Sequence, residues 1–420
     1  MKEYKNRSIE GTLNKMTNKF PVILVTGARQ VGKTTLLNHL QTQNKKINYV
    51  TLDNMLLRMQ ANEDPEFFLR NYETPLIIDE FQYAPNLLAY IKINVDKAKK
   101  SAMFDGSKNT ETQYYLTGSQ VFETMNDVCE SLAGRIGILD LYGFSTRELY
   151  NQKDISFLPD IKLIKQRTPL PYLKSIELFK RIINGSYPDA IDADVEIREK
   201  YYESYVRTYI ERDVRKLINI KDENKFIKFI SSVAARTSQE YNALDIARDV
   251  EIDSKTAEEW ISILKNTNLI YMLNSYANNN IKKIVKRPKI YFMDTGLACY
   301  LAGYVNETTL ERSAFSGAIF ETYIVSEIVK SFANNGVSPK NRLFYYRETG
   351  GKKIDLLVIY DNKAYPVEIK KSSNPGINAI KNFDVVNNFG YEVGNGIVLC
   401  MMENIIAIDD KNFFVPIEYI

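Results

Sequence analysis

Histidine and cysteine are almost missing from this chain of 420 residues, which holds one His, His39, and three Cys, at 129, 299 and 400. The cysteines form no CxxC pair, which excludes a zinc site of ordinary spacing and argues against a disulfide framework. A reducing, cytoplasmic setting is the expectation. Long apolar runs are absent too: none approaches the roughly eighteen residues a membrane helix needs. The opening stretch MKEYKNRSIEGTLNKM lacks the apolar core of a secretory leader. Neither membrane insertion nor secretion is expected. Charge of one sign is lacking as well, with a net of only +3, so any nucleic-acid surface must be local rather than global.

What is present suffices for two to four globular domains. Residues 21–36 read PVILVTGARQVGKTTL. An apolar, buried-type strand runs into GxxxxGKT from Gly27 to Thr34, and helix-forming residues follow. Glycines let backbone N–H groups wrap phosphates, and the helix N-terminus favours negative charge. The expected phosphate wrap is Gly27, Ala28, Arg29, Gln30, Val31, Gly32, Lys33, Thr34 and Thr35. Within it, Lys33 neutralises the β/γ oxygens and the Thr34 hydroxyl ligates magnesium.

Forty-six residues after that lysine, PLIIDEFQYAP ends a buried-type strand in Asp79 and Glu80. A period of two puts them on opposite faces, hence on separate tasks. Asp79 is expected to hold the magnesium and Glu80 to orient or deprotonate the attacking water. A third strand, QYYLTGSQ, offers Ser119 as a sensor of the γ-phosphate or the water. SLAGRIGILDLYGFS presents Arg135, a guanidinium of the kind that completes transition-state charge.

These pieces, in this order, resemble the AAA+ class of ATPases. The landmarks GARQVGKTTLL, IIDEFQYAPNLL, LTGSQ and SLAGR are most similar to its bacterial and archaeal branch. The resemblance covers residues 18–148. It implies ATP and Mg2+ as cofactors and a five-stranded sheet whose acid-bearing strand lies one strand away from the phosphate-loop strand.

Behind a first domain over residues 1–155, the spacing predicts a helical lid or linker over 156–235. There YVRTYIERDVRKL resembles the unit of unknown function fused to this ATPase branch. Residues 236–304 follow the layout of a winged helix-turn-helix: two short helices, the second capped by Ser254, then a hairpin with a basic arm at Lys282, Lys283, Lys286, Arg287 and Lys289. Glu258 and Glu259 stand where base-reading residues would, which opposes phosphate approach. The basic arm either tracks a nucleic-acid backbone or protects a sheet edge.

Residues 305–420 turn to a helix followed by strands. In KIDLLVIYDNKAYPVEIKKSS, a turn at Asp361-Asn362 pairs residues whose numbers sum to 723, setting Asp355 opposite Glu368 with Lys370 on the Glu368 face. Helix, acid, then Glu-x-Lys resembles the restriction-endonuclease-like fold. By that resemblance Asp355, Glu368 and the Ile369 carbonyl hold magnesium, Lys370 positions water, and Glu321 is an optional fourth acid. The plain alternative pairs Glu368 with a nearby lysine and leaves Asp355 facing water at the sheet edge.

The whole reads as an α/β chain: an AAA+ ATPase domain, a helical segment with a winged helix-turn-helix, and an endonuclease-like α/β domain. ATP hydrolysis would gate the back half. Two alternatives stand beside this, an ATP-regulated metal-dependent endonuclease and a non-cleaving switch or adaptor. Expected partners are ATP, DNA through the basic arm and the C-terminal domain, a protein partner, and further copies of the chain.

Overall fold

A computed structural model describes residues 3–104, 111–118, 131–209, 214, 223–277, 287–348 and 350–420. Ser119, Lys282, Lys283 and Lys286 fall outside them.

The front unit is a parallel sheet of β1 (Val22–Thr26), β2 (Asn48–Thr51), β3 (Leu76–Asp79), β4 (Tyr114–Thr117) and β5 (Ile136–Asp140). All of β1, β3 and β4 is buried, as the apolar runs predict for strands covered on both faces. The order is β2-β3-β4-β1-β5. The acid-bearing strand therefore lies one strand from the phosphate-loop strand, as the resemblance implies. Because the strands are parallel, their C-terminal ends meet along one edge, where open α/β sheets hold ligands. Helix α1 (Lys33–Gln43) leaves that edge, and α2 (Leu87–Phe104) packs on the sheet.

The middle is helical. Helix α3 (Val195–Tyr209) buries Tyr202, Tyr205, Val206 and Tyr209, with Tyr201 half-buried beside them. Ile210, expected on the same stripe, lies outside the described residues. Then come α4 (Glu223–Ala235), α5 (Ala243–Val250), α6 (Ser254–Asn266) and the antiparallel pair β6 (Ile270–Leu273) and β7 (Lys289–Phe292). The cap of α6 is Asp253, not Ser254: its carboxylate accepts from Thr256 N at 2.9 Å. Asp253 takes the extended backbone a cap requires, and Ser254 becomes the first helical residue.

In the C-terminal unit, α7 (Ser316–Asn334) packs on a mixed sheet of β8 (Leu343–Arg347), β9 (Lys353–Tyr360), β10 (Lys363–Lys370), β11 (Glu392–Val393), β12 (Gly396–Cys400), β13 (Ile406–Ala407) and β14 (Asn412–Pro416). The sequence predicts one apolar face on α7, at Phe320, Tyr323, Ile324 and Ile328. The helix is instead buried on nearly every side, including Thr322, Glu327, Lys330, Ser331 and Asn334. Those polar groups stay buried because neighbouring segments satisfy them. Thr237 meets Thr322, and Ser331 accepts from Phe157 N. One hydrophobic core runs from Ile9 to Ile420 across all three units. Among the described residues no helix is long and apolar enough to cross a membrane.

One buried acid at this junction has a measurable signature. Ser145 Oγ and Asn334 Nδ2 both donate to Asp154 Oδ2 at 3.0 Å. Burial lifts the Asp154 carboxyl to about 6, although both hydrogen bonds pull it back. A raised pKa means that the folded chain holds the proton more tightly than the unfolded one. This contribution to stability is full below about pH 4 and is lost as pH rises through about 6. Asp154→Asn keeps an oxygen for both donors and has nothing to titrate. Its melting temperature relative to the parent should climb between about pH 4 and pH 7; a constant difference across thermal melts would contradict the burial assignment.

Candidate functional site

The loop after β1 can be built only with glycine at its first position. Gly27 has φ +147, and a Cβ there would lie 2.0 Å from Leu141 O. Gln30 and Gly32 also take positive φ, which turns the chain back into α1. Lys33, the first residue of α1, is buried, and its ammonium donates to Gly27 O at 3.0 Å and Ala28 O at 2.8 Å. The lysine thus lies along the loop it is expected to serve.

Thr34 and Asp79, 45 positions apart, meet. Thr34 Oγ1 lies 3.0 and 3.1 Å from the two Asp79 carboxylate oxygens. Two further hydroxyls hold the same carboxylate, Tyr49 OH at 2.9 Å from β2 and Thr117 Oγ1 from β4. Asp79 is 4% exposed, so its oxygens take their partners from these donors. Thr117 also accepts from Glu80 N at 3.4 Å.

Glu80 leaves the strand with left-handed backbone, φ 56. Gln82 Nε2 donates to Glu80 Oε2. Burial raises the Glu80 carboxyl above the usual range, and Gln82 and the Lys33 charge restrain the rise. Glu80, Lys33, Thr34 and the loop line a cavity of about 1330 Å³. Its other walls come from Tyr4 and Arg7 on one side and Pro188, Asp189 and Ile191 on the other. The turn GSYPDA, which interrupts the helical pattern in the sequence, thereby becomes a wall of the cavity.

Arg135 lies elsewhere. Its carbonyl accepts from Val22 N, at the start of β1, and β5 runs parallel to β1 from there. The loop begins at the far end of these strands, about 13 Å away at 3.3 Å per residue. The guanidinium makes two bonds to Asp96 on α2, at 2.7 and 2.9 Å. The structure does not bring it to the chain's own loop.

In the C-terminal unit the predicted register holds. Residues of β9 and β10 pair from Lys363↔Tyr360 to Val367↔Leu356, each pair summing to 723. Asp361 and Asn362 both adopt positive φ at the turn, the conformation a two-residue hairpin requires. Asp355 is 5% exposed within the sheet, not at a wet edge, and its Oδ2 accepts from Ile369 N at 3.2 Å. Lys370 Nζ donates to Glu368 Oε1 at 2.6 Å, which places both on one face. Burial and the neighbouring Asp355 charge raise the Glu368 carboxyl to about 7, against the pull of Lys370.

Glu321 on α7 accepts from Lys289 Nζ at 2.9 Å and from Tyr291 OH at 2.6 Å. Lys289 therefore turns inward from the hairpin root, half-buried and paired with an acid. Among the described residues, no three His, Cys, Asp or Glu side chains converge to hold a metal ion.

Tyr49, Gln82, Arg7 and Glu148 are site neighbours that motif reading misses. Thr117, at the end of the third strand two residues before Ser119, is the small polar residue there that meets Asp79. Tyr49 sits two positions short of Asp79 in the β2–β3 register, which only the strand order reveals.

Residues 19–150 match the family described as AAA domain. Residues 175–308 and 316–420 match two families described as domains of unknown function, DUF8612 and DUF4143. The uncharacterized protein Rv2008c of Mycobacterium tuberculosis is 24% identical over 372 residues, 88% of this chain and 75% of its own length. Among solved structures, the Thermotoga maritima RuvB Holliday junction branch migration motor is 17% identical, with a TM-score of 0.28, over 63% of this chain and 88% of its own. The Aeropyrum pernix ORC2 protein, in ADPNP-ADP complexes, is 14% identical, with a TM-score of 0.31, over 70% and 89%. The front of the chain thus matches the AAA domain, and the two units behind it match domains of unknown function.

Proposed function

We propose that the chain is a magnesium-dependent AAA+ ATPase whose nucleotide state gates its back half. One observation carries the reading: the Thr34 hydroxyl touches the Asp79 carboxylate, with Lys33 and Glu80 on the same cavity. Thr34 and Asp79 form a hard-oxygen donor pair of the kind magnesium takes. When bound, the ion supplies positive charge against the β/γ oxygens. Lys33 binds those oxygens. Glu80 takes a proton from the attacking water, and its raised carboxyl suits a base. Tyr49 and Thr117 keep Asp79 oriented. Nucleic acid is the target that the basic sequence at 282–287 favours. The test is ATP turnover of the full chain, alone and with single- or double-stranded DNA. Stimulation by either DNA supports the target, and no turnover under any condition rejects the activity.

Arg135 acts on a neighbouring copy in this reading, since its own loop lies at the other end of the sheet. Arg135→Ala and Lys33→Ala chains, each inactive alone, should recover turnover when mixed, because a mixed pair holds one intact site. Mixtures that stay inactive would place Arg135 outside the reaction.

A second reading, metal-dependent strand cleavage, is supported by the register that sets Asp355 beside Glu368 and Lys370. It expects magnesium-dependent cleavage of plasmid DNA that vanishes in Asp355→Ala and Lys370→Ala. Salt-sensitive DNA binding without product would move the back half to a non-cleaving switch, and capture of a protein partner without DNA affinity would make it an adaptor.

A further inference from the structure

Arg7 belongs to none of the motifs, yet it is 6% exposed and joins the phosphate loop to the rest of the chain. Its Nη1 donates to Val31 O at 3.0 Å, inside the loop. Nη2 donates to Tyr142 O at 2.7 Å, Nε to Glu148 Oε1 at 3.1 Å, and the guanidinium stands 4.5 Å from the Phe144 ring centre. Glu148 in turn accepts from Ser8 N and Ser145 N, both at 2.7 Å, closing a capping box with Ser145.

The same turn is held from the other side by α7. Thr146 N donates to Glu327 Oε2 at 2.7 Å. Lys330 Nζ bonds Glu327 Oε1 at 2.8 Å and Phe144 O at 3.1 Å. Glu148, Glu327 and Lys330 are all buried. Every link is therefore a charge-assisted bond shielded from water, and displacing one strands a buried partner. The turn 144–148 cannot shift on α7 without moving the groups that fix Arg7, and Arg7 cannot move without releasing the Val31 carbonyl.

We propose that Arg7 is a positioning residue for the phosphate loop, and that α7 of the C-terminal unit sets its alignment through Glu327, the Ser145 turn and Glu148. The inference rests on the ATP reading above. It supplies the physical link by which nucleotide and back half sense one another. By linkage, whatever α7 does to ATP affinity, ATP does to α7.

The experiment is calorimetric titration of the full chain with ATP and magnesium, below the melting temperature of every variant. Arg7→Lys keeps the charge and loses the fork. Glu327→Gln removes the charge on α7 far from the loop. Each should weaken ATP binding about fivefold or more, and the double variant should be no weaker than the worse single, as members of one chain are non-additive. Thr322→Val, on the same helix but facing Thr237, should bind ATP as the parent does, which separates coupling from mere loosening of α7. Hydrogen exchange adds a readout that needs no Arg7 variant: ATP should slow exchange over 316–334 in the parent and not in Glu327→Gln. Parent binding with Glu327→Gln unchanged, or effects that simply multiply, overturns the inference alone. A parent that binds no ATP removes both it and the ATP reading.

Discussion

Glu80→Gln is expected to bind ATP as tightly as the parent chain and to turn it over about 10²–10⁴-fold more slowly, the range that a positioned general base supplies. Binding should survive because the groups assigned to the phosphates and the cation, Lys33, Thr34 and Asp79, keep their mutual contacts. Turnover should collapse because an amide of the same size cannot accept the proton. The fold tolerates the change: Glu80 is half-buried, glutamine has the same shape, and Gln82 can still donate to the amide oxygen. Equilibrium binding and single-turnover hydrolysis on the same preparation separate the two effects. Turnover at the parent rate would remove Glu80 from the chemistry.

Lys33→Ala carries the second large effect. The ammonium is buried and bonded to two loop carbonyls, so it already lies inside the curl of the loop. Truncating one member of a buried charge pair costs about 2–5 kcal/mol, which is roughly 30-fold to above 10³-fold in affinity. ATP binding should fall by that range while the parallel sheet persists by circular dichroism. An unchanged affinity would mean that the triphosphate lies elsewhere.

The front half was legible because its chemistry and its fold use the same residues. An apolar run, GxxxxGKT and an acid pair 46 residues on mark the strand, the loop and the second motif strand together. The β9–β10 hairpin was legible for a similar reason: side-chain period and an Asp-Asn turn leave one register. Contacts between distant segments were not. Arg7 and Glu148 are 141 positions apart, and neither sits in a pattern that calls for the other. The full burial of α7 is not legible because its polar residues look solvated in sequence, whereas Thr146, Phe144 and Asp154 supply partners from another unit. Lys289 misled in the opposite sense. As part of a basic run it reads as a surface charge, but the hairpin root turns it onto Glu321.

All of these roles depend on a nucleoside triphosphate entering the cavity beside Gly27–Thr34. Isothermal titration of the full chain with a non-hydrolysable ATP analogue, with magnesium and then with a chelator, measures that entry alone. Saturable one-site binding that weakens without magnesium and is lost in Lys33→Ala is the expected result. Heat no greater than dilution, with the divalent ion present and the chain folded, would contradict it.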